Sequence, residues 1–173
     1  SNGDTDIWIV KIDNVGNILW QNTIGGSSYD YLFAIQQTID GGYIMGGRSS
    51  SNISGDKTED CIGYTDFWMV KTDPFGNIQW QNTIGGSNLD ELFCLKQTSD
   101  GDYILGGYSE SNISGDKMEN CLGISDFWVV KTDDLGVIQW QNTIGGTGSD
   151  ILTDIHETAP GEFMLVGISN SDN

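Results

Sequence analysis

The sequence predicts an all-β repeat protein built from four-stranded antiparallel units. Three observations carry that expectation. WQNTIGG occurs at residues 20–26, 80–86 and 140–146, sixty residues apart each time, and Trp8, Trp68 and Trp128 repeat in the same register, as do Lys11, Lys71 and Lys131. The chain holds 24 glycines against two prolines, which suits many tight turns and short strands. Each unit also divides into four short segments rich in β-branched and aromatic residues, bounded by Gly, Asp or Asn.

The elements of one unit follow in order from Asp30. DYLFAIQQT (Asp30–Thr38) reads as a strand; a helix is the competing reading, but the run is too short for one and is flanked by Asp and Gly at a fixed period. A turn at Asp40-Gly41-Gly42 leads to a second strand, GYIMGGRS (Gly42–Ser49). A long polar loop, Ser50–Thr65, comes next. DFWMVKTD (Asp66–Asp73) is apolar without alternation, as expected of a strand covered on both faces. Asp73-Pro74-Phe75-Gly76 carries proline at the second turn position and glycine at the fourth, a type I preference, and Asp13–Gly16 and Asp133–Gly136 repeat it without proline. NIQWQNTI (Asn77–Ile84) puts Ile78 and Trp80 on one face and Gln79 and Gln81 on the other, which fits an outer strand.

Four antiparallel strands to a unit, stacked by repetition, describe the blade of a β-propeller; a β-solenoid is the alternative, with shorter rungs. The chain reads as a single domain over residues 1–173, with repeat units at about 6–65, 66–125 and 126–173. The ordered motifs D-[FY]-W-x-V-K-x-D-x-x-G-x-I-x-W-Q, T-[IF]-G-G, D-G-x-Y-I-x-G-G-x-S and S-G-D-K-x-E cover nearly the whole chain. In these the chain resembles the propeller repeats of secreted Bacteroidota-type surface proteins, which often end in a type IX secretion sorting domain. The resemblance implies a propeller fold and an extracellular or cell-surface location, and no single activity. This chain departs from it in lacking a sorting domain and in having few repeats.

Strand order bears on closure. The chain begins with the second half of a unit, 6–13 and 17–24, and ends with the first half of another, 150–158 and 162–168. Together with two complete units these make three blades' worth of strands, whereas closed propellers use at least about four. Two solutions are expected: two chains complete each other's half-units in a six-bladed, two-fold ring, or the chain is part of a longer propeller. The drifted terminal unit, with His156–Gly161 in place of KQTSDG, favours the first.

A net charge of −18, from 25 acidic and 7 basic residues, argues against nucleic acid and anionic membranes as partners. No apolar run is long enough to span a bilayer, and SNGDTDIWIVK has no basic segment followed by an apolar one, so no secretion signal is read in it. Three cysteines give no closed disulfide framework; Cys94, equivalent to Ala34, is expected in the core, and Cys61 and Cys121 inside their own loops.

Carboxylates interspersed with glycine can bind calcium, and the long loop offers Asp56, Glu59 and Asp60, with Asp116 and Glu119 in its copy. The ligand order of an EF-hand is absent, and Lys57 lies inside the loop. The competing reading has Asp56 capping local turns and Lys57 paired with Glu59 or Asp60. Asp6, Asp66 and Asp126 precede Trp-containing strands and are expected to bond loop amides. The tryptophans are expected to pack unit against unit, and the repeated lysines to pair with nearby carboxylates. His156 is the only histidine, and near-identical loops do not converge different groups on one point, so no enzyme is read here. The expected role is non-catalytic binding or adhesion, to a glycan or protein, through the loop face; the alternative is a structural spacer or self-assembly unit.

Overall fold

The computed structural model describes residues 2–172 and contains twelve β-strands. They are β1 (Ile7–Ile12), β2 (Ile18–Ile24), β3 (Asp30–Gln37), β4 (Tyr43–Ser49), β5 (Asp66–Thr72), β6 (Ile78–Ile84), β7 (Asp90–Gln97), β8 (Tyr103–Ser109), β9 (Asp126–Thr132), β10 (Ile138–Ile144), β11 (Asp150–Ala159) and β12 (Glu162–Ser169). All ladders between them are antiparallel. β3-β4-β5-β6 and β7-β8-β9-β10 form two four-stranded sheets, and β1-β2 and β11-β12 form two hairpins. The strand limits agree with the sequence reading to within a residue or two, and DYLFAIQQT is a strand. A repeat counted from Asp6 therefore takes two strands from one sheet and two from the next.

Local chemistry sets the turns. Asp73 accepts the Phe75 and Asn77 amides through Oδ1 at 2.8 and 2.9 Å, and Gly76 closes the turn at φ 84°. β5 is buried along its whole length, as its unalternating apolar run predicts, while β6 lies at the sheet edge and is partly exposed.

The sheets stack face to face, and each face is filled from both sides. Ile7, Ile9 and Ile24 pack on Met45, Trp68 and Val70. Ile44, Phe67 and Met69 meet Leu92, Leu105 and Trp128. Ile104 and Val129 meet Leu152 and Ile155, with Cys94 buried among them. The tryptophans other than the exposed Trp8 join unit to unit, as expected. Phe67 lies 4.8 Å from Trp128, and on the outer side Trp20 and Trp80 each sit 5.9 Å from the tyrosine opening the second strand of the next sheet, Tyr43 and Tyr103. Asn22 and Asn82 donate to the Gly76 and Gly136 carbonyls beside those rings. The sheets draw together along β3, β7 and β11 and diverge toward β6 and β10. Across the narrow side, the Gln97 amide donates to the Gln36 side chain at 2.8 Å and the Ser99 amide to Glu157 at 2.8 Å.

The first strand of each full sheet carries a β-bulge, between Leu32 and Ala34 and again between Leu92 and Cys94. It presses the bulged strand onto the glycine opposite. A Cβ on Gly47 would overlap the Tyr31 carbonyl, and one on Gly107 the Glu91 carbonyl. The preceding glycines face the neighbouring sheet: a Cβ on Gly46 would crowd Leu92 and Leu95, and one on Gly106 would crowd Leu152 and Ile155.

At the turn end of the stack, Lys71 donates to Asp40 at 2.8 Å and to Gln79 at 3.0 Å, and Lys131 donates to Asp102 at 2.6 Å. These are the carboxylate pairs expected of the repeated lysines. Lys11 instead lies 5.6 Å from the Tyr43 ring. The hydrogen bond from Lys71 holds the Asp40 carboxyl well below the usual range, at about 2. A depressed folded-state value contributes stability above the unfolded value of 3.8, and that contribution is lost as pH falls toward 2. Asp40→Asn is expected to lower stability near neutrality, with the difference from the parent chain shrinking between about pH 4 and pH 2. Urea unfolding at several pH values measures it.

Candidate functional site

The long loop is a clasp between consecutive units. The Asp56 amide donates to the Gly25 carbonyl at 2.9 Å, and the Asp116 amide repeats this on Gly85 at 2.8 Å. Ser54 Oγ accepts the Ser27 amide, and Ser51 Oγ accepts the Ser28 amide. Beneath them, the buried Asp30 accepts the Gly26 amide at 2.7 Å and the Ser51 hydroxyl at 3.0 Å. Asp90 and Asp150 occupy the same place in the following units. Burial pushes the Asp90 carboxyl above its ordinary value. The Gly-Gly-x-x-x-Asp spacing thus closes the turn from one sheet into the next.

Each calcium candidate is engaged by a backbone amide. Asp56 accepts Gly25 N–H at 3.3 Å and Asp116 accepts Gly85 N–H at 3.2 Å. Glu59 accepts Thr83 N–H, Asp60 accepts Ile53 N–H at 2.9 Å, and Glu119 accepts Thr143 N–H at 2.6 Å. Among the described residues no three His, Cys, Asp or Glu side chains converge as a metal cluster.

Lys57 differs from the pairing expected of it. It turns inward, 2% exposed, with its ammonium 5.3 Å from the Trp68 ring centre and donating to Thr83. Burial lowers its pKa. Lys117 does the same over Trp128 at 5.2 Å. The indole face offers a desolvated cation more than an exposed carboxylate beside it does. Asp66 bonds the loop amides as expected, accepting Gly63 N–H at 3.2 Å, and also accepts the Cys61 thiol at 2.8 Å. Burial first, and Asp66 second, push the Cys61 thiol up to about 12, so it stays protonated as a donor. All three cysteines are free.

A second group of residues lies on the narrow side, near the loop end, and depends on breaks in the repeat. Arg48 is the only arginine of the chain, and its counterparts are Tyr108 and Ile168. Its guanidinium lies 4.7 Å from the Tyr31 ring centre and 6.0 Å from that of Phe33, and it forms an ion pair with Glu91 of the next sheet. Tyr29, Tyr31 and Phe33 follow one another at 6.4 and 6.5 Å, and Phe33 meets Phe93 at 5.2 Å. A cleft of about 260 Å³ opens here between Tyr29, Tyr31, Arg48, Thr65 and Glu91. The repeated positions do not mark this group; its signal in the sequence is the set of positions where one unit departs from the others.

No protein-family model matches the chain. Part of it is similar to the regulatory protein FlaEY of Caulobacter vibrioides, 26% identical over 118 residues. That likeness covers 65% of this chain and 12% of the Caulobacter protein, so the chain spans a small part of that protein's length.

Proposed function

We propose that the chain forms blades of a β-propeller, acts outside the cell or on its surface, and binds a glycan or protein ligand without catalysis. Sheets that converge on their first strands and splay at their last have the wedge form that a ring of blades requires. The resemblance to secreted surface repeats supports the location. The observation that carries the binding reading is the departure from repetition around Arg48. Structural positions recur in every unit, whereas Tyr29, Tyr31, Arg48 and Glu91 occur together once. Exposed aromatic faces beside a charged pair suit a ligand with an apolar face and polar edges, such as a sugar ring or a protein side chain.

The loop carboxylates hold amides in this reading, so chelation of calcium leaves both binding and melting temperature unchanged. A glycan array, followed by titration of the best ligand, tests the site. Arg48→Ala and Tyr31→Ala are each expected to weaken binding by at least about ten-fold while the fold stays intact by circular dichroism. Unchanged affinity in both variants would overturn the assignment. The spacer or assembly reading is favoured by one observation, that the long loop sets Ser51, Ser54 and Asp56 against the neighbouring unit.

A further inference from the structure

The two hairpins carry unpaired edges and uncovered apolar faces that match each other. β1 pairs only with β2, and β12 only with β11, whereas β4 and β5, or β8 and β9, pair on both sides within complete sheets. Trp8 is 66% exposed, while its counterparts Trp68 and Trp128 are 1% and 0% exposed. Val10 is likewise exposed where Val70 and Val130 are buried. On β12, Met164 is exposed where Ile44 and Ile104 are buried. The free edge of β12 is the edge by which β4 meets β5, and the free edge of β1 is the edge by which β5 meets β4.

We infer that two copies of this chain join by pairing β12 of one with β1 of the other, completing a sheet in the order β11-β12-β1-β2. The register is carried over from the complete sheets. Gly47 lies opposite Trp68, and Gly107 opposite Trp128, so Gly167 lies opposite Trp8 of the second copy. Ile44 lies opposite Lys71, so Met164 lies opposite Lys11. Trp8 then covers the face of β9 at Phe127, as Trp128 covers Phe67. Both junctions form at once in a two-fold pair, and the hairpins then keep only the outer edges, on β2 and β11, that every complete sheet also has.

One residue distinguishes this junction from those inside the chain. Val166 stands where Gly46 and Gly106 allow the next sheet to press close. Its isopropyl group therefore needs room that the internal interfaces lack. A groove of about 280 Å³ runs beside the free edge of β1, lined by Trp8, Val10, Trp20, Leu32, Ile35 and Tyr43. The joined sheet turns Val166 toward Leu32 and Ile35 in that groove. The contact is apolar and each copy carries a net charge of −18, so added salt, by screening the repulsion, strengthens the association.

Cysteine pairing across the junction tests this independently of any ligand. Lys11→Cys and Met164→Cys are made separately in the full chain, mixed and mildly oxidised. The mixture is expected to give a covalent two-chain product that neither variant gives alone, since opposed residues of an antiparallel pair fall within disulfide range. Lys11→Cys mixed with Ser169→Cys, five residues out of register, is expected to give none. Absence of the first product, or equal yield from the out-of-register mixture, would overturn the pairing; a chain whose edges are covered by other repeats or by another protein would give the first of those results. The three native cysteines are free and remain in every variant, so the single-variant samples measure their background.

Discussion

Gly107→Ala is expected to abolish the native fold or lower its stability by about 3 kcal/mol or more, the upper part of the range for overpacked cores. The reason is geometric. The bulge between Leu92 and Cys94 drives the backbone of β7 onto β8, and an added Cβ would overlap the Glu91 carbonyl and approach Leu92 Cα at 2.9 Å. Both obstacles are main chain in the middle of a ladder and cannot swing aside as a side chain would. Gly106→Ala next to it meets only the ends of Ile155, Leu152 and Cys94, so it is expected to cost less. Thermal unfolding of the two variants measures the difference, and a Gly107→Ala protein as stable as Gly106→Ala would contradict the bulge geometry.

Trp128→Ala is expected to cost about 3–5 kcal/mol, and Trp8→Ala under about 1 kcal/mol at concentrations where the chain is single. The two residues hold the same repeat position and make the same indole hydrogen bond, to Gln141 and Gln21 respectively. They differ in what covers them. Trp128 has the Lys117 ammonium over its ring and Phe67 at 4.8 Å, while Trp8 lies open on β1. Where two copies are joined, Trp8→Ala acts instead on the association and raises the concentration needed for it. Denaturant unfolding at low and high protein concentration separates the two effects.

Much of the architecture was legible because the sequence states it three times. Aspartate before glycine marks the turns, FWMV marks a strand buried on both faces, and NIQWQNTI marks the edge. What escaped were features set by contacts distant in sequence. Lys57 reads as a loop cation beside Glu59 and Asp60, yet it lies over the ring of Trp68, whose place beneath the loop is set by the pairing of β5 with β4. The bulge at Leu32 and Ala34 leaves no mark in the apolar run LFAI, although the Gly46-Gly47 pair opposite it is its trace. Asp56, Glu59 and Asp60 suggest a cation site by composition; only the fold shows that each also accepts a backbone amide, from Gly25, Thr83 and Ile53. Arg48 was visible as the one arginine, and only the fold brings Tyr31 and Glu91 to it.

Light scattering over a range of protein concentrations and salt tests the joining of hairpins most directly. The expected result is a mass of twice the 18.9 kDa of one chain, reached more readily as salt rises, with no larger species because two junctions use up the free edges of β1 and β12 in both copies. A mass of 18.9 kDa at every concentration would contradict it.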